Sequence, residues 1–568
     1  MWSKLTVDMT TSTIQRDPLD KEWSELGGRA LNAQVAMAKI PPTCDPLGKD
    51  NVLIISGGVF AGTNFTTAHR LSIGGKSPLT GGIKEANVGG VFGTLLAEHG
   101  IRLITIEGLP KEDELYLLYI KADGQVELLD GQKYRGLGNY AMVDAIHQEY
   151  GDKTALLSIG MAGERKYKAA SIQSTEFGPG HPSRAAARGG IGALMGSKGL
   201  KGILIEKPTE KYQVEYADKE MFRAAALAFN QLIAEGAKTH PFSNIGTIST
   251  IEVTGVNGAL PEGNFSGKFF PDYKKLGVEA FLSKLAAGGG GNKKACQPGC
   301  IVKCSNIYND ADGNYITSGF EYETIALFGP NCRITDYDAI ALMDRMCDDI
   351  GVDTIDMGCA IGVAMDAGKI PWGDAQAAIG LLKEMEEGTA FGEILGNGCE
   401  SVGLHLGCKR IPVVKHQAIA AYDPRNTKGT GITYATSPQG ADHTAGITMG
   451  RAFEDTGRTA QAFVSNKLQV AMCFADSMMC IFCFAHIVPI LPRMAEMIAG
   501  LYGGEVDFTR VTIGLGVRTL LTERAFNQAA GFTAEDDKLP EFFYTEMSAA
   551  TGSVFDIGEV EMETLFNF

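Results

Sequence analysis

The stretch that decides the reading is ACQPGCIVKC, residues 295–304, in which Cys296, Cys300 and Cys304 recur every four residues behind four glycines at 288–291. Three thiols spaced so closely suit a metal site. A cubane iron–sulfur cluster takes four thiolates, so this stretch leaves one corner open. The best donor downstream is Cys480, in DSMMCIFC at 476–483. A structural zinc also takes four thiolates, but its knuckles usually come as two CxxC pairs, and here the arrangement is three plus one. The bland alternative is that these cysteines are small apolar core residues. Their clustering beside flexible glycines speaks against it.

Working outward, 568 residues exceed one hydrophobic core, and 45% apolar residues are ample to fill two to four domains. A formal net charge of −16 argues against nucleic acid or an anionic membrane surface as the main partner, because both reward a basic face. The 71 glycines follow no collagen period and imply many close backbone approaches, including approaches to ligands. Twelve cysteines in a chain this long are not a small disulfide scaffold, and the opening MWSKLTVDMTT carries no apolar export segment, so the expected compartment is the cytoplasm. The longest apolar run, 478–491, is broken by His486 and Pro489 and falls short of the ~20 residues of a membrane span. No transmembrane helix is expected.

Up to about Glu206, short β-branched runs at 52–56, 103–107 and 203–206 predict strands, and 115–129 predicts a hairpin about Ala122, Asp123 and Gly124. Three loops, 69–93, 158–164 and 183–198, combine glycine with Arg, Lys or Asn. Glycine-rich turns let backbone N–H groups converge on an anion, and Arg70, Arg184 and Arg188 offer forked donors, so a phosphorylated group is expected there. The alternative is tight turns with solvated arginines. None of the loops matches the dinucleotide fingerprint or the P-loop. Beyond Lys207 the periodicity turns helical, over 218–238, 336–349, 376–387 and 391–406, with a hairpin turn at 310–313. The expected fold class is α+β. A β-rich N-terminal domain, 1–207, precedes two mainly helical domains, 208–410 with the cluster cysteines and 411–568.

In chain order the motifs are KSPLTG at 76–81, ANVGGVFG at 86–93, RGGIGALMGSKGLK at 188–201, the cysteine stretch, EYET at 321–324, CDDIGVDTI at 347–355, AYDPR at 421–425 and DSMMC at 476–480. Together they resemble the tungsten- or molybdenum-containing aldehyde ferredoxin oxidoreductases over nearly the whole chain. The resemblance implies a metal held by the dithiolenes of two pterins, without a protein ligand to the metal, beside one [4Fe–4S] cluster. It makes the N-terminal domain the pterin carrier. Arg70 looks like the arginine beside pterin and cluster. Asn87 and Ala185 look like the backbone positions for a magnesium between the pterin phosphates, flanked by Gly89 and Arg184. The family's pterin motif DxxGL, followed by Cys or Asp, is similar to Asp348, Val352 and Asp353, with Val for Leu. Its second copy is altered, reading Asp476-Ser-Met-Met-Cys480, one residue short and without the glycine. The fourth cluster ligand then lies between Cys480 and Cys483, and the continuation Ile481-Phe482 favours Cys480.

Two further departures stand out. The first cysteine pair is C-x3-C where C-x2-C is commoner, so the loop must bulge, at Pro298-Gly299. The glutamate and histidine that hold a subunit-bridging iron in some relatives are replaced by Leu342 and Arg345, so neither that iron nor its dimer carries over.

Oxidation of an aldehyde to a carboxylic acid takes an oxygen from water and removes two electrons, which calls for an electrophilic metal, a base and a polarising donor. By resemblance the base is Glu323 and the donor His443, in GADHTAG; a carboxylate or histidine in isolation is more often a surface or structural group. The expected acceptor is ferredoxin or a ferredoxin-like iron–sulfur subunit. Two alternatives stand beside this: a relative acting on another substrate, such as reduction of an acid or an aromatic thioester, and an electron-transfer subunit that holds a cluster only.

Overall fold

In the computed structural model the described residues are all except 112, 237–238, 269, 449–457, 564–565 and 567–568. The N-terminal part is two six-stranded sheets. One runs in the order Thr13–Pro18, Ser3–Asp8, Ile101–Glu107, Leu53–Gly57, Leu71–Lys76, Ile83–Val88. The other runs Arg184–Ala186, Ile172–Ser174, Ala155–Ser158, Leu200–Ile205, Tyr116–Ile120, Val126–Asp130.

Strand alternation decides what each sheet faces, since successive side chains point to opposite sides. Leu53, Ile55, Leu71 and Ile73 of the first sheet share a core with Leu118, Ile120, Leu157 and Ile203 of the second, so the sheets face one another. The intervening Ile54, with Val52 and Leu103, points the other way, onto Leu31 and Val35 of the helix Gly28–Lys39 and onto the helices of the C-terminal region. On the second sheet's outer face Leu117, Tyr119, Leu156 and Leu204 meet Met142, Val143 and Ile146 of the helix Asn139–Tyr150. The expected hairpin is present, with Tyr116–Ile120 paired antiparallel to Val126–Asp130.

Beyond the sheets the chain is mainly helical. Aspartates start several helices by accepting a backbone N–H: Asp218 before Lys219–Ala234, Asp336 before Tyr337–Ile350, Asp353 before Thr354–Asp366 and Asp374 before Ala375–Glu387. The first of these covers the helix expected over 218–238, whose residues 237–238 lie outside the described set. The helix expected over 391–406 is two, Ala390–Gly396 and Cys399–Leu406. Gly398 breaks it at φ 96°, where a side chain would collide with Asp356 Oδ1, 2.8 Å from the Cβ position. That carboxylate accepts the N–H of Cys399 at 2.7 Å, an attachment to a distant helix that no periodicity encodes.

The helical region is tied to the helix Gly28–Lys39, which packs on the first sheet, by a buried ion pair. Arg29 gives two hydrogen bonds of 2.8 Å to Glu523 and one of 3.4 Å to Asp476, with Arg29 3% and Glu523 1% exposed. Removing one partner strands a buried charge, which costs about 3–5 kcal/mol. Glu523→Ala is expected to lower the melting temperature clearly; an unchanged melting curve would show that this pair is no strut.

Candidate active site

The cysteine stretch enters as a tight turn beside the first sheet. Gly299, at φ 76°, supplies the left-handed residue that the longer C-x3-C spacing needs. Thr66 of the N-terminal domain fastens the turn, giving a hydrogen bond to the Gly299 carbonyl at 3.0 Å and taking one from the Ile301 N–H at 3.2 Å. Cys296 is held by its carbonyl, which accepts from Gly90 at 3.1 Å and Phe177 at 3.4 Å. Gly89 is needed for that approach: a Cβ there would sit 3.2 Å from Cys296 Sγ and 3.3 Å from Arg70 Nη1.

Cys480 joins this group from the far end of the chain, as its thiol and those of Cys296 and Cys304 all lie within electrostatic reach of Arg70. The Cys300 thiol donates to Cys296 and pulls the Cys296 thiol down to about 6; burial opposes this, and Arg70 and Arg184 reinforce it. Burial pushes Cys304 and Cys480 up. Cys483 lies in the same neighbourhood, also within reach of Cys480, Arg70 and Cys296. Its thiol lies 3.5 Å from the Thr67 hydroxyl, within the apolar core that includes Met479 and Phe484. Among the described residues no three His, Cys, Asp or Glu side chains converge tightly enough for a single metal ion. A single zinc draws its donors to about 2.0–2.3 Å of one point.

Two arginines serve this region. Arg70 donates through Nε to Asn87 Oδ1 and at 3.1 Å to the Asn87 carbonyl. Arg184 binds Ser305 at 2.9 Å and Glu176 at 3.3 Å, and Gly319 leaves room for its guanidinium. The strands bearing Asn87 and Ala185 pack against one another. Arg188 is otherwise engaged. It binds Asp353 at 3.1 Å, the Ala441 carbonyl at 2.5 Å and the Ala418 carbonyl, so its donors hold protein segments together. Lys76 and Lys198 are likewise bound to main-chain carbonyls. Of the three arginines read as anion donors, the structure leaves only Arg70 and Arg184 beside the cysteines.

The two aspartate motifs dock on different sheets. After the helix Tyr337–Ile350 the chain turns at Gly351, φ 79°, whose carbonyl accepts from Ser171, while the Asp353 N–H reaches the Ala169 carbonyl. Val352 forms a bridge with Ala170. Asp348 is buried, and burial together with Asp344 raises its carboxyl well above the usual range. Asp476 ends the helix Arg458–Met478 against the first sheet, where Ser477 binds the Val59 and Ala30 N–H groups. Burial pushes Asp476 up to about 6, and burial plus Asp476 pushes the neighbouring Glu85 to about 8.

Glu323 sits on the short helix Tyr322–Phe328. One carboxylate oxygen accepts the Ala421 N–H at 2.8 Å, and the Tyr322 hydroxyl donates to the Ala421 carbonyl at 2.7 Å, so EYET and AYDPR are clamped together. The other oxygen lies 3.4 Å from His443 Nε2. His443 follows Asp442, whose carboxylate is bound by Lys84 at 2.7 Å and accepts from Thr444. Lys84 and Arg188 hold the Asp442 carboxyl far below the usual range despite its burial. The structure thus brings Glu323 and His443 together, and gathers Cys296, Cys304 and Cys480 around Arg70, with Cys300 beside Cys296 and Cys304.

Two domain models match this chain: "Aldehyde ferredoxin oxidoreductase, N-terminal domain" over residues 4–207, and "Aldehyde ferredoxin oxidoreductase, domains 2 & 3" over 224–566. The chain belongs to the aldehyde ferredoxin oxidoreductase family. It is 30% identical to the tungsten-containing aldehyde ferredoxin oxidoreductase of Pyrococcus furiosus over 96% of this chain and 92% of that one. The Thermococcus kodakarensis protein of the same name gives the same identity and coverage. A further relative is the WOR-like subunit of an aliphatic sulfonate oxidoreductase of P. furiosus, 28% identical over 81% of this chain and 77% of the relative. The fold is shared with the active site complex BamBC of benzoyl coenzyme A reductase, TM-score 0.82 at 19% identity, covering 99% of this chain and 93% of that chain. No helix among the described residues is long and apolar enough to cross a membrane.

Aldehyde ferredoxin oxidoreductase membership calls for a bulky polar cofactor, and the buried atoms around the docking loops fit one. Arg184 Nε, Ser174 Oγ, Glu85 Oε1, Gln439 Nε2 and both amide atoms of Gln297 and Gln417 are buried without a protein partner. Each such atom costs about 1–3 kcal/mol. A pterin with its many N–H and C=O groups and its phosphate would satisfy this donor and acceptor set. Gln417 and Gln439 were not legible as site residues in the sequence; only their packing, with Gln439 accepting the Glu85 N–H at 2.7 Å, reveals them. On the helix Tyr337–Ile350, Leu342 is half-exposed and Arg345 stacks 3.1 Å over the Tyr140 ring, so these positions offer no carboxylate or imidazole.

Proposed function

We propose that this oxidoreductase converts aldehydes to carboxylic acids and passes the electrons through a [4Fe–4S] cluster on Cys296, Cys300, Cys304 and Cys480 to ferredoxin or a ferredoxin-like subunit. The observation that carries this is the gathering of Cys296, Cys304 and Cys480 about Arg70, with Cys300 beside Cys296 and Cys304, next to strands that present Asn87 and Ala185. Arg70, Gly89, Arg184, Asp348, Val352, Asp353 and Asp476 would hold two pterins, and the Asn87 and Ala185 carbonyls a magnesium between their phosphates. The dithiolene-held tungsten or molybdenum supplies the two-electron acceptor that the side chains lack. The protein's own part is positional. Glu323, fixed by the Ala421 N–H, takes a proton from the attacking water, and His443 donates to the carbonyl oxygen. Overall, RCHO + H2O gives RCOOH with two protons and two electrons. Metal analysis tests the frame: about four irons per chain and tungsten or molybdenum are expected. Protein isolated anaerobically with iron but neither other metal would point to the cluster-only subunit.

A second reading keeps the same centre but changes the substrate. Its support is the shared fold with a benzoyl coenzyme A reductase complex and the similarity to a sulfonate oxidoreductase subunit. Turnover of aldehydes, carboxylic acids, aryl thioesters and sulfonates measured side by side separates the two.

Lys293, Lys294 and Lys303 are exposed around the cysteine turn on a chain of net charge −16. An acidic iron–sulfur carrier would be steered there over a Debye length of about 8 Å. Reversing Lys293 and Lys294 to Glu is expected to slow ferredoxin reduction, most at low salt, while leaving a small neutral dye unaffected. Equal ferredoxin rates at every ionic strength would place docking elsewhere.

A further inference from the structure

Tyr434 lies on the helix Lys428–Thr436, fully buried, and its phenol oxygen has no hydrogen-bond partner in the protein. Buried tyrosine hydroxyls normally find a partner. The helix packs against the short turn His443–Ala445, and the carboxylates of Glu323 and Asp442 are near enough to act on the phenol. Glu323 Oε1 and His443 Nδ1 are also buried and make no full hydrogen bond, their nearest groups being His443 Nε2 at 3.4 Å and Asp442 Oδ1 at 3.9 Å. The walls around them are aromatic, with the Tyr422 ring 5.7 Å from His443 and 5.4 Å from Tyr322. A carboxylate, an imidazole and a phenol, each with a buried polar atom short of a full hydrogen bond, thus lie close together beside aromatic rings.

We infer that Tyr434 is a substrate-contacting residue, whose hydroxyl donates a hydrogen bond to the oxygen of an aromatic aldehyde or of its carboxylate product. This rests on the functional reading above, in which Glu323 and His443 flank the reacting carbonyl. Burial and the Glu323 charge raise the phenol well above its ordinary value, so it is a donor at every working pH. An aromatic substrate is chosen to match the aromatic surroundings of the reacting pair, the rings of Tyr422 and Tyr322 standing beside His443. The cost of keeping an unpartnered hydroxyl in a core is then offset only when substrate is present.

The test is Tyr434→Phe, which removes the oxygen and keeps the ring, compared with wild type at equal iron and tungsten or molybdenum content. Because the hydroxyl has no partner in the protein, the variant is expected to melt at the same temperature or higher. Benzoate affinity, measured by calorimetry, is expected to fall about 10- to 100-fold, the worth of a hydrogen bond to a charged group, and kcat/KM for benzaldehyde to fall with it. Benzoate affinity within about twofold of wild type, well below that range, overturns the proposal whatever the melting temperature does. So does a wild-type protein that fails to bind benzoate. Absence of aldehyde turnover in wild type counts against the functional reading instead, since the binding measurement stands without it.

Discussion

Cys480→Ala is expected to abolish the [4Fe–4S] signal and most of the bound iron, while Cys483→Ala leaves both in place. Both thiols lie just beyond the helix Arg458–Met478, Cys483 in the short turn Ile481–His486, and both are near Thr67, so sequence position barely separates them. Their partners do. The Cys480 N–H donates to the Thr67 hydroxyl at 3.2 Å, which fixes the residue's backbone and leaves its own thiol uncommitted to that hydroxyl. The Cys483 thiol lies against that same hydroxyl and is fully buried among apolar side chains. A cluster missing one of four thiolates loses a covalent ligand, an all-or-none effect on its spectrum, whereas truncating a buried thiol to alanine leaves only a small cavity. Electron paramagnetic resonance of the dithionite-reduced protein, with iron counted on the same sample, decides the matter. A normal spectrum in Cys480→Ala with its loss in Cys483→Ala would sink the assignment.

The β-rich beginning, the hairpin about Gly124 and the capped helices were legible because each is a local pattern: alternation, a turn residue, an aspartate before a helical run. The cysteine spacing was legible for the same reason, down to the bulge at Gly299. What escaped is non-local. Arg188 reads like Arg70 and Arg184, a guanidinium in a glycine-rich loop, yet its donors end on Asp353, Ala418 and Ala441, segments far away in the chain. The break at Gly398 depends on Asp356 of another helix. Gln417, Gln439 and Tyr434 carry no signature at all. Their interest lies in buried polar atoms left without a partner after folding, a property that exists only once every neighbour is known.

Glu323→Gln is expected to lower aldehyde turnover by roughly 10²-fold or more, the usual worth of a positioned general base, with metal and iron content unchanged. The substitution suits the geometry. Gln keeps the length of the side chain, and its amide oxygen can still accept the Ala421 N–H that now holds Glu323 at 2.8 Å. The clamp between Tyr322 and Ala421 is untouched, so the helix Tyr322–Phe328 should stay in place. What disappears is the second carboxylate oxygen, 3.4 Å from His443 Nε2, and with it the capacity to take a proton from water. His443→Ala is expected to act in the same direction but less severely, because a lost donor weakens polarisation of the carbonyl without removing the base. The two should be far from additive, since the pair faces one substrate oxygen and one water. Steady-state kinetics of both single variants and the double variant, on fully metal-loaded protein, provide the check. Unchanged oxidation in loaded Glu323→Gln would remove the base from Glu323, and a double variant whose loss equals the product of the single losses would show that the two groups work apart.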